Sequence, residues 1–124
     1  MRASGCREDR GRRAPLIEKG AGHRLADLVD YREGSVVSRT LLEKSTGSLT
    51  LFAFDRGQGL GEHTSPYDAT VQVLEGSVDV VISGGSLRLG AGEFVVMPAG
   101  QPHSLRATER FKMLLTMIRS ADQT

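Results

Sequence analysis

The sequence is poor in cysteine and has no long apolar segment. Cys6 is the one cysteine among the 124 residues. The chain therefore cannot form an internal disulfide, and we expect it to work in a reducing compartment, the cytoplasm. No apolar run near the N-terminus resembles a secretory signal, and no stretch approaches the ~20 apolar residues that span a bilayer. These absences exclude a disulfide-stapled fold and predict a soluble protein with no membrane partner.

Net charge is also small, at +1 over the whole chain. The first thirteen residues are the exception, because they hold five arginines against Glu8 and Asp9, a local balance of +3. With so few bulky apolar residues, this region cannot offset the entropy that ordering would cost. We therefore predict a disordered basic tail over residues 1–20. A solvated extension is the favoured interpretation, and we do not expect nucleic acid as a partner.

From Val36 onward, short β-branched and apolar segments alternate with turn residues at intervals of about 8–12 positions, which is typical of an all-β sandwich or barrel. The length suits one domain, which we expect over residues 21–120. Strands are predicted at 36–42, 48–54, 70–74, 78–82, 86–89, 93–97 and 111–118.

Three local features complete the predicted organisation. Gly84 and Gly85 are expected to turn a tight hairpin, since glycine accepts positive φ. Apolar residues recur at helical spacing over 23–31, which predicts one or two helical turns on the outside of the barrel or against a partner subunit. The glycine-rich segment 57–61 is not followed by a helical pattern that would bind an anion, so we expect a loop there.

The last predicted strand, 111–118, is apolar on both of its faces. In a small sandwich, one face of such a strand lies in the core, and the other is available to a subunit interface. We therefore expect a homodimer.

Two glycine-punctuated segments, 57–76 and 92–103, each contain a histidine at a fixed distance from the glycines. Here the chain resembles the cupin family. The first cupin motif is Gly, five residues, His-x-His, three or four residues, Glu, six residues and Gly. The second is Gly, five residues, Pro-x-Gly, two residues, His, three residues and Asn. The positions that fit this spacing are Gly57, His63, Gly76, Gly92, Pro98, Gly100 and His103.

The resemblance covers roughly residues 41–118 and implies a small single-domain cupin of type 2, a double-stranded β-helix or jelly-roll barrel. Cupins commonly dimerise, which agrees with the expectation from strand 111–118. In a full cupin, three His and one Glu hold a divalent iron, manganese, nickel or zinc ion. This sequence departs from the motifs at Ser65 for the second His, Ala69 for the Glu and Ala107 for the Asn. The first motif is therefore degenerate.

Because residues two apart on a strand project to the same side, His63 and Ser65 are expected to face the barrel interior together. The second motif would bring His103 to the same pocket. Gln72 is included as a further candidate. The predicted ligand-binding residues are thus His63, Ser65, His103 and Gln72.

Two imidazoles are fewer ligands than metal catalysis usually needs, since catalytic zinc keeps three protein ligands and the non-haem iron triad adds a carboxylate to two His. Asp68 and Glu62 lie nearby but have the wrong strand parity, although a bulge at residues 66–67 would turn Asp68 inward. We therefore expect no firm cofactor, and at most weak capture of a divalent transition metal by His63 and His103.

These observations favour a small molecule bound in the barrel pocket, without a complete metal site. Whether the protein is an enzyme stays open, and no catalytic residue is assigned. One alternative is a metal-assisted oxygenase or isomerase that uses His63 and His103, completed by Asp68, water or substrate. A metal-free isomerase with either histidine as general base belongs to the same class. A third alternative is a dimerisation or interaction module.

Overall fold

The structure is a computed structural model that describes residues 16–119. These residues form two antiparallel sheets and a single 3₁₀ turn, Leu25–Asp27. The strands are β1 (Val36–Lys44), β2 (Gly47–Phe54), β3 (Gly59–His63), β4 (Asp68–Glu75), β5 (Ser77–Ile82), β6 (Gly85–Gly90), β7 (Phe94–Met97), β8 (His103–Ala107) and β9 (Phe111–Ile118). The predicted all-β jelly-roll architecture is confirmed.

The strands divide into a five-stranded sheet, in the order β1-β2-β9-β4-β7, and a four-stranded sheet, in the order β3-β8-β5-β6. The two sheets enclose the main core, because alternate residues of each strand point inward. Val71 and Val73 of β4 and Val78 and Val80 of β5 are buried in it. The rings of Phe54 and Phe111 stack with their centroids 4.6 Å apart. Burying each such side chain contributes about 1.5–3 kcal/mol.

A second, smaller core covers the outer face of the five-stranded sheet. Val29 of the N-terminal segment, residues 16–35, is buried there with Leu51 and Ala53, which are fully inaccessible to solvent. Leu114 of β9 packs against the same cluster, whereas Ile118 remains 55% exposed. The chain itself therefore covers part of the second apolar face of β9, and the part near Ile118 stays open.

A polar cluster holds this N-terminal segment to the sheet. The Lys112 ammonium donates a hydrogen bond to the Ala26 carbonyl and lies 5.0 Å above the ring of Tyr31. The Tyr31 hydroxyl in turn donates to Glu75 at 2.6 Å. Burial of the phenol, reinforced by the bond to Glu75, raises the pKa of Tyr31 well above its usual value. Charged and aromatic groups therefore supplement the apolar contacts of a segment that has almost no regular structure.

Several local predictions need correction. The predicted short helical turn within residues 23–31 is confirmed as the 3₁₀ turn on the outside of the sheet, whereas the following details differ. The β5–β6 hairpin turns at Ser83 and Gly84, with φ of 48° and 85°, and Gly85 already begins β6. Segment 57–61 is not entirely a loop, because β3 begins at Gly59, and β8 was absent from the predicted strands.

The predicted disordered tail, residues 1–20, lies outside the described residues as far as residue 15. Ile17 is described, and its N–H donates to the Leu41 carbonyl at 3.0 Å, so contact with the barrel begins before residue 21. Within residues 16–119, no helix is long and apolar enough to cross a membrane.

Candidate functional site

The antiparallel pairing of β3 with β8 brings the two motif histidines together. His63 and His103 are directly opposite each other in the ladder. Their rings meet edge to face, with centroids 4.4 Å apart and planes inclined by 70°. His103 is 5% exposed because β8 is an interior strand of its sheet, whereas His63, at the end of the edge strand β3, is exposed. The pair therefore extends from the protein interior to its surface. It lies where β3 ends and β8 begins, which we call the mouth of the barrel.

Each imidazole is oriented by a backbone carbonyl two residues earlier in the chain. His63 Nδ1 donates to the Gly61 carbonyl at 2.7 Å, and His103 Nδ1 donates to the Gln101 carbonyl at 3.2 Å. A carbonyl oxygen only accepts, so the proton of each neutral ring is on Nδ1. The Nε2 atom of each ring is then left with a lone pair, as a hydrogen-bond acceptor, a base or a metal ligand.

The turn that precedes His103, residues 98–102, is hydrogen-bonded to the segment that follows His63. The Ala99 N–H donates to Asp68 Oδ1 at 2.9 Å, and the Gly100 N–H donates to the Ser65 carbonyl at 2.7 Å. Asp68 is exposed and lies opposite Ile118 in the ladder, so it is on the outer face of the sheet, and its Oδ1 is bonded to this turn. The inward rotation of Asp68 that a bulge would produce does not occur.

Ser65 does not share the strand geometry that the sequence predicted, because β3 ends at His63. Its hydroxyl accepts a hydrogen bond from the Tyr67 N–H at 3.0 Å, which is a local turn contact. Ala69 is inward and buried, with Met97 and Met117 as its cross-strand neighbours. The structure therefore brings His63 and His103 together, but it engages the Ser65 hydroxyl elsewhere.

Gln72 is also placed away from the histidines. On β4 the inward positions are Ala69, Val71 and Val73, which are buried, so Gln72 projects from the opposite face of the sheet and is exposed. Its neighbours in the ladder are Phe94 and Leu114. The alternation of residues 69–73 already contained this signal.

The residues present do not fit the complete metal site of the family. Of the four ligand positions, two are His63 and His103, the third is Ser65 with its hydroxyl engaged, and the fourth is the methyl group of Ala69. Across residues 16–119, no group of three or more His, Cys, Asp or Glu side chains is close enough to hold a metal ion. Glu62 lines the outer face of the four-stranded sheet instead.

An open groove that the sequence did not predict crosses that outer face. It encloses about 730 Å³, and neither histidine lines it. Arg88 and Asp79 form a bidentate ion pair in it, with Nε and Oδ1 2.7 Å apart. The hydrogen bond from Arg88 lowers the pKa of Asp79. The alternation of residues 78–81 places Asp79 on the outer face, but no sequence signal indicates the groove.

Comparisons with known proteins agree with this geometry. The family profile described as the cupin domain matches residues 50–118. A conserved protein of unknown function from Streptococcus pyogenes is 36% identical, over 87% of this chain and 95% of that one, with a TM-score of 0.81. A cupin 2 conserved barrel domain protein from Leptotrichia buccalis is 38% identical, over 76% of this chain and 46% of that one, with a TM-score of 0.74.

A cupin superfamily protein from Desulfitobacterium hafniense shares the fold at 24% identity, over 87% of this chain and 99% of that one, with a TM-score of 0.80. No curated protein is similar enough to count as a match. The profile match spans more than half of the sequence and includes both histidine motifs. The chain belongs to the cupin family.

Proposed function

We propose that this cupin binds a small polar molecule at the mouth of its barrel through His63 and His103, without a complete metal site. The observation that supports the proposal is the edge-to-face contact of the two imidazoles, each with its Nδ1 proton engaged by a carbonyl. A reducing, cytoplasmic location stays part of this proposal and rests on the single cysteine.

The tautomers define the chemistry of the ligand. With both Nδ1 protons engaged, each neutral ring has its Nε2 as a hydrogen-bond acceptor, and the two rings are in contact. Such a pair suits a ligand with two or more hydrogen-bond donors, such as the hydroxyl groups of a sugar or hydroxy acid. The buried position of His103 limits competition from water and strengthens these hydrogen bonds.

A thermal-shift screen tests the proposal, because a ligand that binds the folded state raises its apparent stability. The panel consists of sugars, polyols, hydroxy acids and small carbonyl compounds. We expect at least one compound to raise the melting temperature of the wild type, and the increase to be lost in His63→Ala and in His103→Ala. The variant His23→Ala is the matched control, since His23 is exposed and its Nε2 bonds to the Glu18 carbonyl, outside the proposed site.

The control variant should respond to the compound as the wild type does. A panel without effect on the wild type, or a stabilisation that both alanine variants retain, would contradict the proposed site.

Weak capture of a divalent transition metal is a second candidate for the same two residues. It is favoured by the engaged Nδ1 atoms, since histidines that bind metals almost always donate their other ring N–H to a neighbouring acceptor. Two imidazoles hold a metal less firmly than the three or four ligands of stable sites. A metal-assisted oxygenase or isomerase would need further ligands from water or substrate, and a metal-free isomerase would use either Nε2 as general base. Stoichiometric metal in protein purified without chelator, lost on His103→Ala, would favour the metal-assisted alternative.

We also propose that the chain forms a homodimer through the uncovered part of the five-stranded sheet. Phe94 and Val96 of the edge strand β7 are 62% and 48% exposed, and Ile118 of β9 is 55% exposed. In the ladder, Val96 is opposite Thr70 of β4 and Ile118 is opposite Asp68 of β4. Because Asp68 and Thr70 are two residues apart, the side chains of Val96 and Ile118 lie on the same face of the sheet. A patch of neighbouring exposed apolar residues is typical of an interaction surface.

A further inference from the structure

The turn that carries the acceptor for His103 is fixed from a second side, by the β5–β6 hairpin. The Ser83 hydroxyl donates to Gln101 Oε1 at 2.9 Å, and the Ser83 N–H donates to the Pro102 carbonyl at 2.8 Å. Gln101 is also the residue whose carbonyl accepts the Nδ1 proton of His103. One exposed serine is therefore bonded to the residue that orients the buried imidazole.

Ser83 adopts this position in a conformation that is unfavourable for its residue type. Its φ of 48° is the one positive value among the non-glycine residues of 16–119. With Gly84 at 85°, it forms the two central positions of a hairpin turn that require positive φ, where Asn-Gly or Gly-Gly is usual. Backbone strain of this kind clusters at functional sites. Glycine would relieve the strain but would remove the hydroxyl that donates to Gln101 Oε1.

From these contacts we infer that Ser83 is a positioning residue for His103. Its hydroxyl holds Gln101 so that the Gln101 carbonyl keeps the imidazole proton on Nδ1, and Nε2 then keeps its lone pair. On the other flank of the same turn, Asp68 and Ser65 bind Ala99 and Gly100. The inference rests on the proposed function, because positioning His103 serves binding only if His103 is a binding residue. The positioning itself is measurable without a ligand.

Two substitutions separate positioning from structural support. Ser83→Gly accepts positive φ and loses the side-chain bond, whereas Ser83→Asn also tolerates positive φ and keeps N–H donors that reach toward Gln101. The tautomer of His103 is measured by long-range ¹H–¹⁵N NMR of the ring, at a pH where the ring is neutral. The melting temperature of each variant is recorded alongside.

In Ser83→Gly we expect the ring ¹⁵N resonances of His103 to shift toward the averaged values of two exchanging tautomers, while the melting temperature stays the same or rises. Ser83→Asn should keep the wild-type ring pattern. An unchanged His103 tautomer in Ser83→Gly would overturn the inference. An equal change of the His103 ring pattern in Ser83→Gly and Ser83→Asn would overturn it as well. If the thermal-shift panel fails but the ring responds, the proposed function fails and the positioning stands.

Discussion

At the scale of single residues, the two site histidines share one local arrangement. Each donates its Nδ1 proton to the carbonyl two positions earlier, Gly61 for His63 and Gln101 for His103. The arrangement is built into the backbone of β3 and of the turn before β8, and does not need a carboxylate partner. The loss of metal-ligand side chains at residues 65 and 69 therefore leaves the orientation of both imidazoles intact.

Asp55 has a carboxyl group whose pKa is lowered in the folded protein. Its carboxylate accepts hydrogen bonds from the N–H groups of Gly34 and Arg56 and from the Arg110 guanidinium. These bonds, that of Gly34 first, lower the pKa of Asp55 from 3.8 to about 2. Because the pKa is lower in the folded state, this stabilisation is complete above pH 3.8 and is lost as the pH falls through about 2.

Asp55→Asn should therefore lower the free energy of unfolding at pH 7, and the difference from the wild type should shrink between pH 4 and pH 2. Urea unfolding at several pH values measures both quantities. Asp27→Asn is the control, because Asp27 forms an exposed ion pair with Arg24 that contributes little. A difference for Asp55→Asn that stays constant down to pH 2 would contradict this assignment.

At the scale of elements, residues 16–35 act as a cover for the five-stranded sheet. The contacts that hold them are the second apolar core and the Lys112 ammonium, which bonds to Ala26 and lies 3.9 Å from Glu75. Because the segment has only one short turn of its own, its order depends on these tertiary contacts.

Lys112→Met preserves the length of the side chain but removes its hydrogen bond and charge. Since a hydrogen bond to a charged group contributes about 1.5–3 kcal/mol, we expect a loss of roughly 2 kcal/mol in unfolding free energy. Hydrogen exchange at the Ile17 amide, which bonds to the Leu41 carbonyl, should accelerate at the same time. Lys44→Met, at an exposed position of β1, should change neither quantity. Unaltered exchange at Ile17 in Lys112→Met would contradict the role of the ammonium.

The sequence predicted most strands because their side-chain pattern matches the period of a sheet. Residues 111–118 were predicted with the bounds that the structure shows, and β5 differs only by the addition of Ser77. β3 was missed because two of its five residues are glycines and only Leu60 is strongly apolar. The inward residues His103, Leu105 and Ala107 alternate on β8 with Ser104 and Arg106, so that strand was predictable.

The site was predictable only in part. Motif spacing identified His63 and His103, whose ladder positions follow from the fold. The direction of the Ser65 hydroxyl depends on where β3 ends, which a motif does not encode. The role of Ser83 could not be predicted from the sequence, because it arises from a contact between two turns that are distant in sequence.

At the scale of the whole molecule, the exposed apolar residues on the outer face of the five-stranded sheet, Phe94, Val96 and Ile118, predict self-association. We expect the wild type to sediment as a dimer at micromolar concentrations and Val96→Lys to shift it to a monomer, since an unpaired charge in an apolar interface is costly. Leu87→Lys is the matched control, on the other sheet and 36% exposed. A monomeric wild type, or a dimer that Val96→Lys leaves intact, would contradict the proposed interface.

A double-mutant cycle measures whether His63 and His103 form one binding site. Isothermal titration calorimetry measures the affinity of the panel compound that most stabilises the wild type, for the wild type, His63→Ala, His103→Ala and the double variant. Because residues that share one ligand are energetically coupled, we predict that each single variant loses at least ~10-fold in affinity and that the double variant loses less than the product of the two single losses. Affinities that are unchanged in the single variants, or losses that multiply independently, would contradict a shared site.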